Sequence, residues 1–175
     1  KGIRLLTSVS PSIFYLGFNM LDPLVGGGAS KADKERARKL RQAISIALDM
    51  EEFVSIFLNG RGLPGMSPLP PGIFGAHEGG AGINPVVYEW RGGETAAGGH
   101  AQRRSRDEAA RLLAEAGWPN GRNAQTGEPL VINLDTTPGG LGDKARSDWL
   151  AKQFRALGVQ FVVRPTDFNR FQDKI

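Results

Sequence analysis

Apolar side chains recur at intervals of three and four from Ala37 through Leu40, Ala43, Ile44, Ala47 and Leu48, which places them on one face of a helix. Lys34, Arg38, Lys39, Arg41 and Gln42 fall largely outside that stripe, and Asp33 stands ahead of it as the predicted N-cap. Asp49 interrupts the pattern and predicts the start of a second helix, because Glu52 follows it at capping-box spacing. Phe53, Val54, Phe57 and Leu58 supply the expected buried face of that helix. Asn59-Gly60 predicts a left-handed C-terminal end, where glycine carries no Cβ penalty. Residues 33–60 therefore read as a helical block.

Residues 1–20 read differently: Ile3 to Val9 and Ile13 to Met20 are two candidate strands separated by Ser10-Pro11-Ser12. Between 63 and 106, Pro64, Pro68, Pro70, Pro71 and Pro85 exclude a regular helix or central strand and predict an irregular crossing. Within it, Arg91 to His100 is rich in Gly, Ala and Thr and reads as a mobile insertion. Order is expected to return at Ser105, which has capping-box spacing to Glu108 ahead of Ala109, Leu112, Leu113 and Ala116, with Gly117 as the stop. Leu130 to Leu134 predicts a buried strand. Trp149, Leu150, Phe154 and Leu157 predict a helix over 143–157, Gly158 ends it, Val159 to Val163 predicts the next strand, and Asp167 starts another helix. Short connections in this strand-helix-strand unit favour a parallel pair with a right-handed crossover. The 175 residues thus read as a single α/β domain whose α/β part lies in 107–175.

Charge changes this picture little. The 22 basic and 18 acidic side chains leave a net +4, and the densest basic run, Arg103-Arg104-Ser105-Arg106, lacks the interleaved aromatics on which single-stranded nucleic acids stack. No nucleic-acid partner is expected. No apolar run approaches the roughly 20 residues a membrane helix needs, so direct membrane insertion is not expected either. The chain opens on Lys1 without an initiator methionine or leader and is still periodic at Ile175, which reads as an excised piece.

Cysteine is absent, which removes disulfides, thiolate catalysis and Cys-based metal sites. Only His77 and His100 could serve as imidazole ligands, and both fall in Gly-rich loops far apart in sequence, so neither a metal site nor a cofactor is expected. No G-x-S-x-G elbow occurs, and no catalytic residue is assigned. The carboxylate pairs Glu51-Glu52 and Asp107-Glu108 sit in first helical turns, where complementing the helix dipole accounts for them. Trp118, Trp149, Phe154 and Phe161 read as core. The loop Thr136-Thr137-Pro138-Gly139-Gly140 follows a strand and precedes a helix, the place where α/β sheets gather ligands. It lacks the Lys of a P-loop and the spacing of a dinucleotide fingerprint. A solute contact and a plain turn both fit it.

The run Arg41-Gln42-Ala43-Ile44-Ser45-Ile46-Ala47-Leu48-Asp49, with Glu51-Glu52 and the Asn59-Gly60-Arg61-Gly62-Leu63-Pro64 turn, resembles the extracellular solute-binding proteins of family 5. Tyr15-Leu16-Gly17-Phe18-Asn19, the Ala109 to Asn120 segment, and Leu150 to Lys174 with its Phe168-Asn169-Arg170-Phe171 agree with that family in the same order. The resemblance implies one lobe of a two-lobed periplasmic-binding-protein-like fold, a mixed sheet flanked by helices, with the solute enclosed between lobes. It implies reversible capture of a peptide or other small solute, ABC transporter membrane permease subunits as partners, and a periplasmic or extracytoplasmic location. By matched position and loop logic, Tyr15, Asn19, Thr136, Thr137 and Phe168 are the candidate ligand or hinge contacts. Phe168 stands where peptide binders of the family often carry Trp. Two other classes stay open on the residues alone: the effector lobe of a transcription regulator, and a small α/β hydrolase with a base near Thr136 or Thr137.

Overall fold

A computed structural model describes residues 2–4, 6, 11–93, 98–139 and 143–173. The chain forms two compact units, Lys1–Leu16 with Gly65–Gln102, and Gly17–Pro64 with Arg103–Ile175. The α/β class expected from the sequence is what the structure has, with its strands gathered in two small sheets.

In the larger unit, helix α1 (Lys31–Ala47) is capped one turn earlier than the sequence suggests. Ser30, in extended geometry, accepts from the Asp33 N–H at 3.0 Å and donates its hydroxyl to Asp33 Oδ2 at 2.6 Å. The reciprocal pairing uses a hydroxyl at the cap and a carboxylate three residues on, so Asp33 is the partner of the cap and not the cap itself. Those hydrogen bonds, led by the Ser30 hydroxyl, lower the Asp33 pKa. Ala37, Leu40, Ala43, Ile44, Ala47 and Leu48 are buried along the face predicted for it, and Ile46, outside that face, is buried as well. Against this face packs α3 (Arg106–Glu115), which buries Ala109 and Leu113. Alanines on both helices let the backbones approach closely, and Lys39 Nζ reaches Glu115 across the rim at 2.9 Å.

Helix α2 (Met50–Leu58) begins directly after α1, with Asp49 as its cap accepting from the Glu52 N–H at 2.9 Å. It ends as predicted, at Asn59 in left-handed geometry with φ 50°. Its apolar face is less buried than expected: Phe53, Val54 and Phe57 are half-buried, while Leu58 is exposed. At the α1–α2 junction Arg103 donates to the Ile46 carbonyl in the last turn of α1 and pairs with Asp49 at 3.1 Å.

The remaining strands and helices form a parallel unit. Strand β3 (Val131–Thr136) pairs with β4 (Gln160–Pro165) in register from Val131↔Gln160 to Thr136↔Pro165, and α4 (Lys144–Arg155) connects them. Phe154 of α4 stacks on Phe161 of β4 at 4.4 Å, which identifies the face carrying Phe161, Val163, Ile132 and Leu134 as the one α4 covers. The amino ends of both strands are set by a tight crossing of two turns. Gly121 and Gly158 have φ of +71° and +75°, and a Cβ on Gly121 would sit 2.2 Å from the Gly158 carbonyl oxygen. Leu130 N donates to the Gly121 carbonyl and Gln160 N to the Leu130 carbonyl, so the crossing leads straight into the ladder. A short helix, α5 (Phe168–Gln172), capped by Asp167, follows β4.

A buried polar chain fastens three of these helices. Gln153 of α4 is completely buried, its carbonyl oxygen accepting from Arg106 of α3 at 2.7 Å and its amide N–H donating to Glu52 of α2 at 2.6 Å. The indole N–H of Trp149 donates to the same Glu52 oxygen at 2.8 Å, and the Phe53, Phe57 and Trp149 rings pack on one another with centroids 4.9 to 6.3 Å apart.

Strands β1 (Tyr88–Gly92) and β2 (Gly99–Arg103), which belong to the smaller unit up to Gln102, form a two-stranded sheet. Part of the irregular crossing expected over 63–106 is regular: the stretch Arg91 to His100, read as a mobile insertion, has both its ends in these strands, and residues 94–97 lie outside the described residues. Trp90 supplies the reason: its indole N–H donates to the Gly93 carbonyl at 2.6 Å, and Gly80 and Gly99 pack on its ring with no room for a side chain at Gly99. The strands expected in 1–20 are not formed among the described residues, although Leu5 and 7–10 fall outside them. Residues 11–19 have no partner strand among the described residues to complete a ladder, and Ile13, Phe14 and Tyr15 are exposed.

Three stability outcomes follow from these arrangements. Gly121→Ala combines positive φ with a backbone collision and is expected to lower unfolding free energy by roughly 2 to 3 kcal/mol. Gly60→Ala, at φ +72° with nothing within 4 Å of the added methyl, is expected to cost only about 1 kcal/mol in the same denaturation series. Gln153→Leu keeps the volume but strips Arg106 and Glu52 of a partner, with an expected loss of about 1–3 kcal/mol by urea unfolding.

Candidate functional site

Two parallel strands end together at Thr136 and Pro165, so the chain leaving each one starts from the same edge. Thr166 N donates to the Thr136 carbonyl at 2.9 Å and extends the pairing one residue beyond the named strands. The Thr136 hydroxyl donates to the Thr137 carbonyl at 3.3 Å. On the β4 side Asp167 caps α5, accepting from the Arg170 N–H at 3.1 Å, and this cap turns the chain so that Phe168 opens the helix. The Phe168 ring is 61% exposed.

The edge thus brings together three of the five residues singled out from the sequence. Thr136, the last residue of β3, and Thr137, which follows it, are half-buried, and Phe168 stands on the segment after β4. Threonine hydroxyls and strand-end backbone groups can donate to and accept from a polar solute, while the phenyl ring offers an apolar face. Such an arrangement can hold a ligand non-covalently. The sheet face turned away from α4 is polar, with Asn133, Asp135, Gln160 and Arg164 flanking Val131 and Val162. Parallel sheets are ordinarily apolar on both faces.

The other two residues are placed elsewhere. Asn19 opens a turn in the same unit, where its Oδ1 accepts from the Leu21 N–H at 3.0 Å and its carbonyl from the Asp22 N–H. Through Pro23 and Leu24 that turn lines a shallow groove of about 250 Å³, together with Asp33, Arg36, Leu40 and Trp118. Tyr15 belongs to the smaller unit and is 82% exposed. A second shallow groove, of about 300 Å³, lies at the amino end of β4 around Arg155 and Phe161. Neither groove includes Thr136, Thr137 or Phe168. Both grooves lie where packed elements of the larger unit meet, α1 against the Trp118 turn and α4 against β4.

Sequence reasoning missed the groups that steady this edge from behind. Glu52 was assigned to the dipole of α2, yet it also binds α4, the helix that joins the two strands. The spacing of Trp149, Lys152 and Gln153 was the available signal, since residues three and four apart share a helix face. No group of three or more His, Asp or Glu side chains is placed to hold a metal ion among the described residues. Nor, among them, is any helix long and apolar enough to cross a membrane.

Comparison with known proteins agrees with this architecture. The solved oligopeptide-binding protein AppA of Bacillus subtilis, in complex with a nonapeptide, superposes with a TM-score of 0.61 at 20% identity, covering 90% of this chain and 27% of AppA. NikA of Brucella suis, in complex with Fe(III)-EDTA, gives 0.55 at 19% identity over 78% of this chain and 24% of NikA. Among curated proteins, Heme-binding protein A of Haemophilus influenzae is 24% identical over 148 residues, which are 84% of this chain and 22% of that protein. The chain therefore spans about a quarter of these relatives' length. At such identities the solved structures establish the fold, that of two-lobed periplasmic binding proteins. The sequence model described as bacterial extracellular solute-binding proteins, family 5 Middle, matches residues 1–175. The chain belongs to that family.

Proposed function

We propose that the full-length protein is the solute-binding component of an ABC-type importer, capturing peptides or similar small solutes between two lobes without making or breaking a bond. The observation that carries this reading is the family match over the whole chain. The strand-end edge supports it, because its chemistry is that of recognition: hydroxyls, backbone groups and an exposed ring, held by a packed scaffold. Cargo of the relatives ranges over a nonapeptide, an iron chelate and heme, so peptide is the leading solute class on the strength of the fold match to AppA.

On this reading, Thr136, Thr137 and Phe168 touch the solute, Asn19 and Tyr15 contribute to the cleft or hinge, and the lobes rotate to enclose it. Membrane permease subunits receive the closed form, and the protein works in the periplasm or outside the cytoplasmic membrane. Residues 1–175 contribute part of one lobe.

Calorimetry of the full-length protein against a peptide library tests this directly. Binding is expected, and Phe168→Ala is expected to weaken it about tenfold, the loss of one aromatic contact of roughly 1.4 kcal/mol, while leaving the thermal midpoint unchanged. Absence of binding to peptides, opines, sugars and metal chelates alike would sink the reading.

A further inference from the structure

Three side chains on one face of α4 converge on a single carboxylate of α2. Trp149 Nε1–H and Gln153 Nε2–H donate to Glu52 Oε2 at 2.8 and 2.6 Å, and Lys152 Nζ stands 3.5 Å from Oε1. An ionised carboxylate accepts through both oxygens, whereas the protonated acid must also place an O–H on an acceptor. These partners offer none. The indole N–H and the ammonium only donate, and the one acceptor on Gln153 is already taken by Arg106 at 2.7 Å. Turning the Gln153 amide over would face its NH2 to the Arg106 guanidinium, donor against donor. Protonation at the half-exposed Oε1 thus removes the ion pair with Lys152 and turns the two charge-assisted hydrogen bonds on Oε2 into weaker neutral ones.

We propose that Glu52 is the latch of an acid-sensitive clasp: ionised, it holds α2 against α4, and protonated, it lets α2 detach. The weak hold of α2 otherwise makes the latch decisive. No residue of α2 is fully buried, and beside Glu52 it meets α4 through the packing of Phe53 and Phe57 on Trp149 and through Arg146 over the Phe57 ring. Helices held by few buried contacts open first.

The charges around Glu52 set the direction. From α4 it faces Lys152, and Arg146 lies over the Phe57 ring at 5.8 Å; from α3 comes Arg106, acting through Gln153. On its own side, Asp49 and Glu51 are engaged by Arg103 at 3.1 and 3.6 Å. The Trp149 hydrogen bond, the Gln153 hydrogen bond and the Lys152 charge lower the Glu52 pKa below the ordinary glutamate value of 4.5, against the opposing effect of burial. The folded-state value being lowered, the latch contributes fully above that ordinary value, and its contribution is lost as pH falls through the lowered one.

The test is NMR on the full chain, following the Trp149 indole N–H between pH 7 and 3. Trp149→Phe assigns that signal among the three tryptophans. The signal is expected to move with a midpoint below 4.5, together with the Glu52 carboxyl carbon. In Glu52→Gln the movement is expected to vanish, and amide exchange over residues 50–58 at pH 7 to rise about tenfold relative to the unaltered chain, with α1 and α3 unchanged. An indole signal that titrates identically in Glu52→Gln, or unaltered exchange in α2, overturns the proposal. Should Glu52→Gln fail to fold, Trp149→Phe supplies the second reading: the Glu52 midpoint rises toward 4.5 if the latch is real and stays in place if it is not.

Discussion

A glutamine with no exposed surface is stable in a core only when both ends of its amide are met, and Gln153 meets that demand with Arg106 on one side and Glu52 on the other. The consequence reaches well past one side chain. Arg106 opens α3, Glu52 lies in the first turn of α2, and Gln153 sits near the end of α4, so one amide fixes the angular setting of three helices. Apolar packing of α1 on α3 provides most of the burial, but alanine and leucine surfaces can slide and rotate by small amounts at little cost. A hydrogen-bonded chain of this kind cannot.

That fixed setting matters because α4 is also the link between β3 and β4. Its stacking of Phe154 on Phe161 seats the sheet, and the Gly121–Gly158 crossing sets the level at which both strands begin. With the starts and the register determined, the ends are determined too, which is why Thr136 and Pro165 finish side by side. The loops that leave this edge carry two threonine hydroxyl groups and an exposed phenyl ring on a scaffold that is rigid behind them. A family of solute-binding proteins needs that combination: recognition groups at a rim, and a body able to move as one piece.

Much of this was legible in the sequence, for physical reasons specific to each element. Periodicity located α1, α3 and α4 because each buries one face, the caps at Asp49 and Ser105 are local hydrogen bonds that spacing alone encodes, and α5 starts at Asp167 as expected. The parallel β3–β4 pair followed from the strand-helix-strand order. Ser30 escaped notice because two plausible caps stand three residues apart, and only the geometry shows that they bond to each other. The sheet around Trp90 was hidden because its order comes from one indole packed between two glycines, a tertiary contact inside a Gly-rich stretch that reads as a loop. The reverse error over Ile13 to Met20 has the same root, since β propensity forms no strand without a neighbour to pair with. At the candidate site, the loop after β3 and Phe168 could be named in advance. That they share an edge required the register, and the role of Glu52 required knowing which helix it faces.

The central claim is that the carboxyl edge of β3–β4 is where this lobe meets its solute. A crystal structure of the full-length protein with its co-purified solute tests that most directly. Density within hydrogen-bonding reach of Thr136 or Thr137 and against the Phe168 ring is the predicted result. A solute enclosed elsewhere, with that edge facing solvent and untouched, would contradict it.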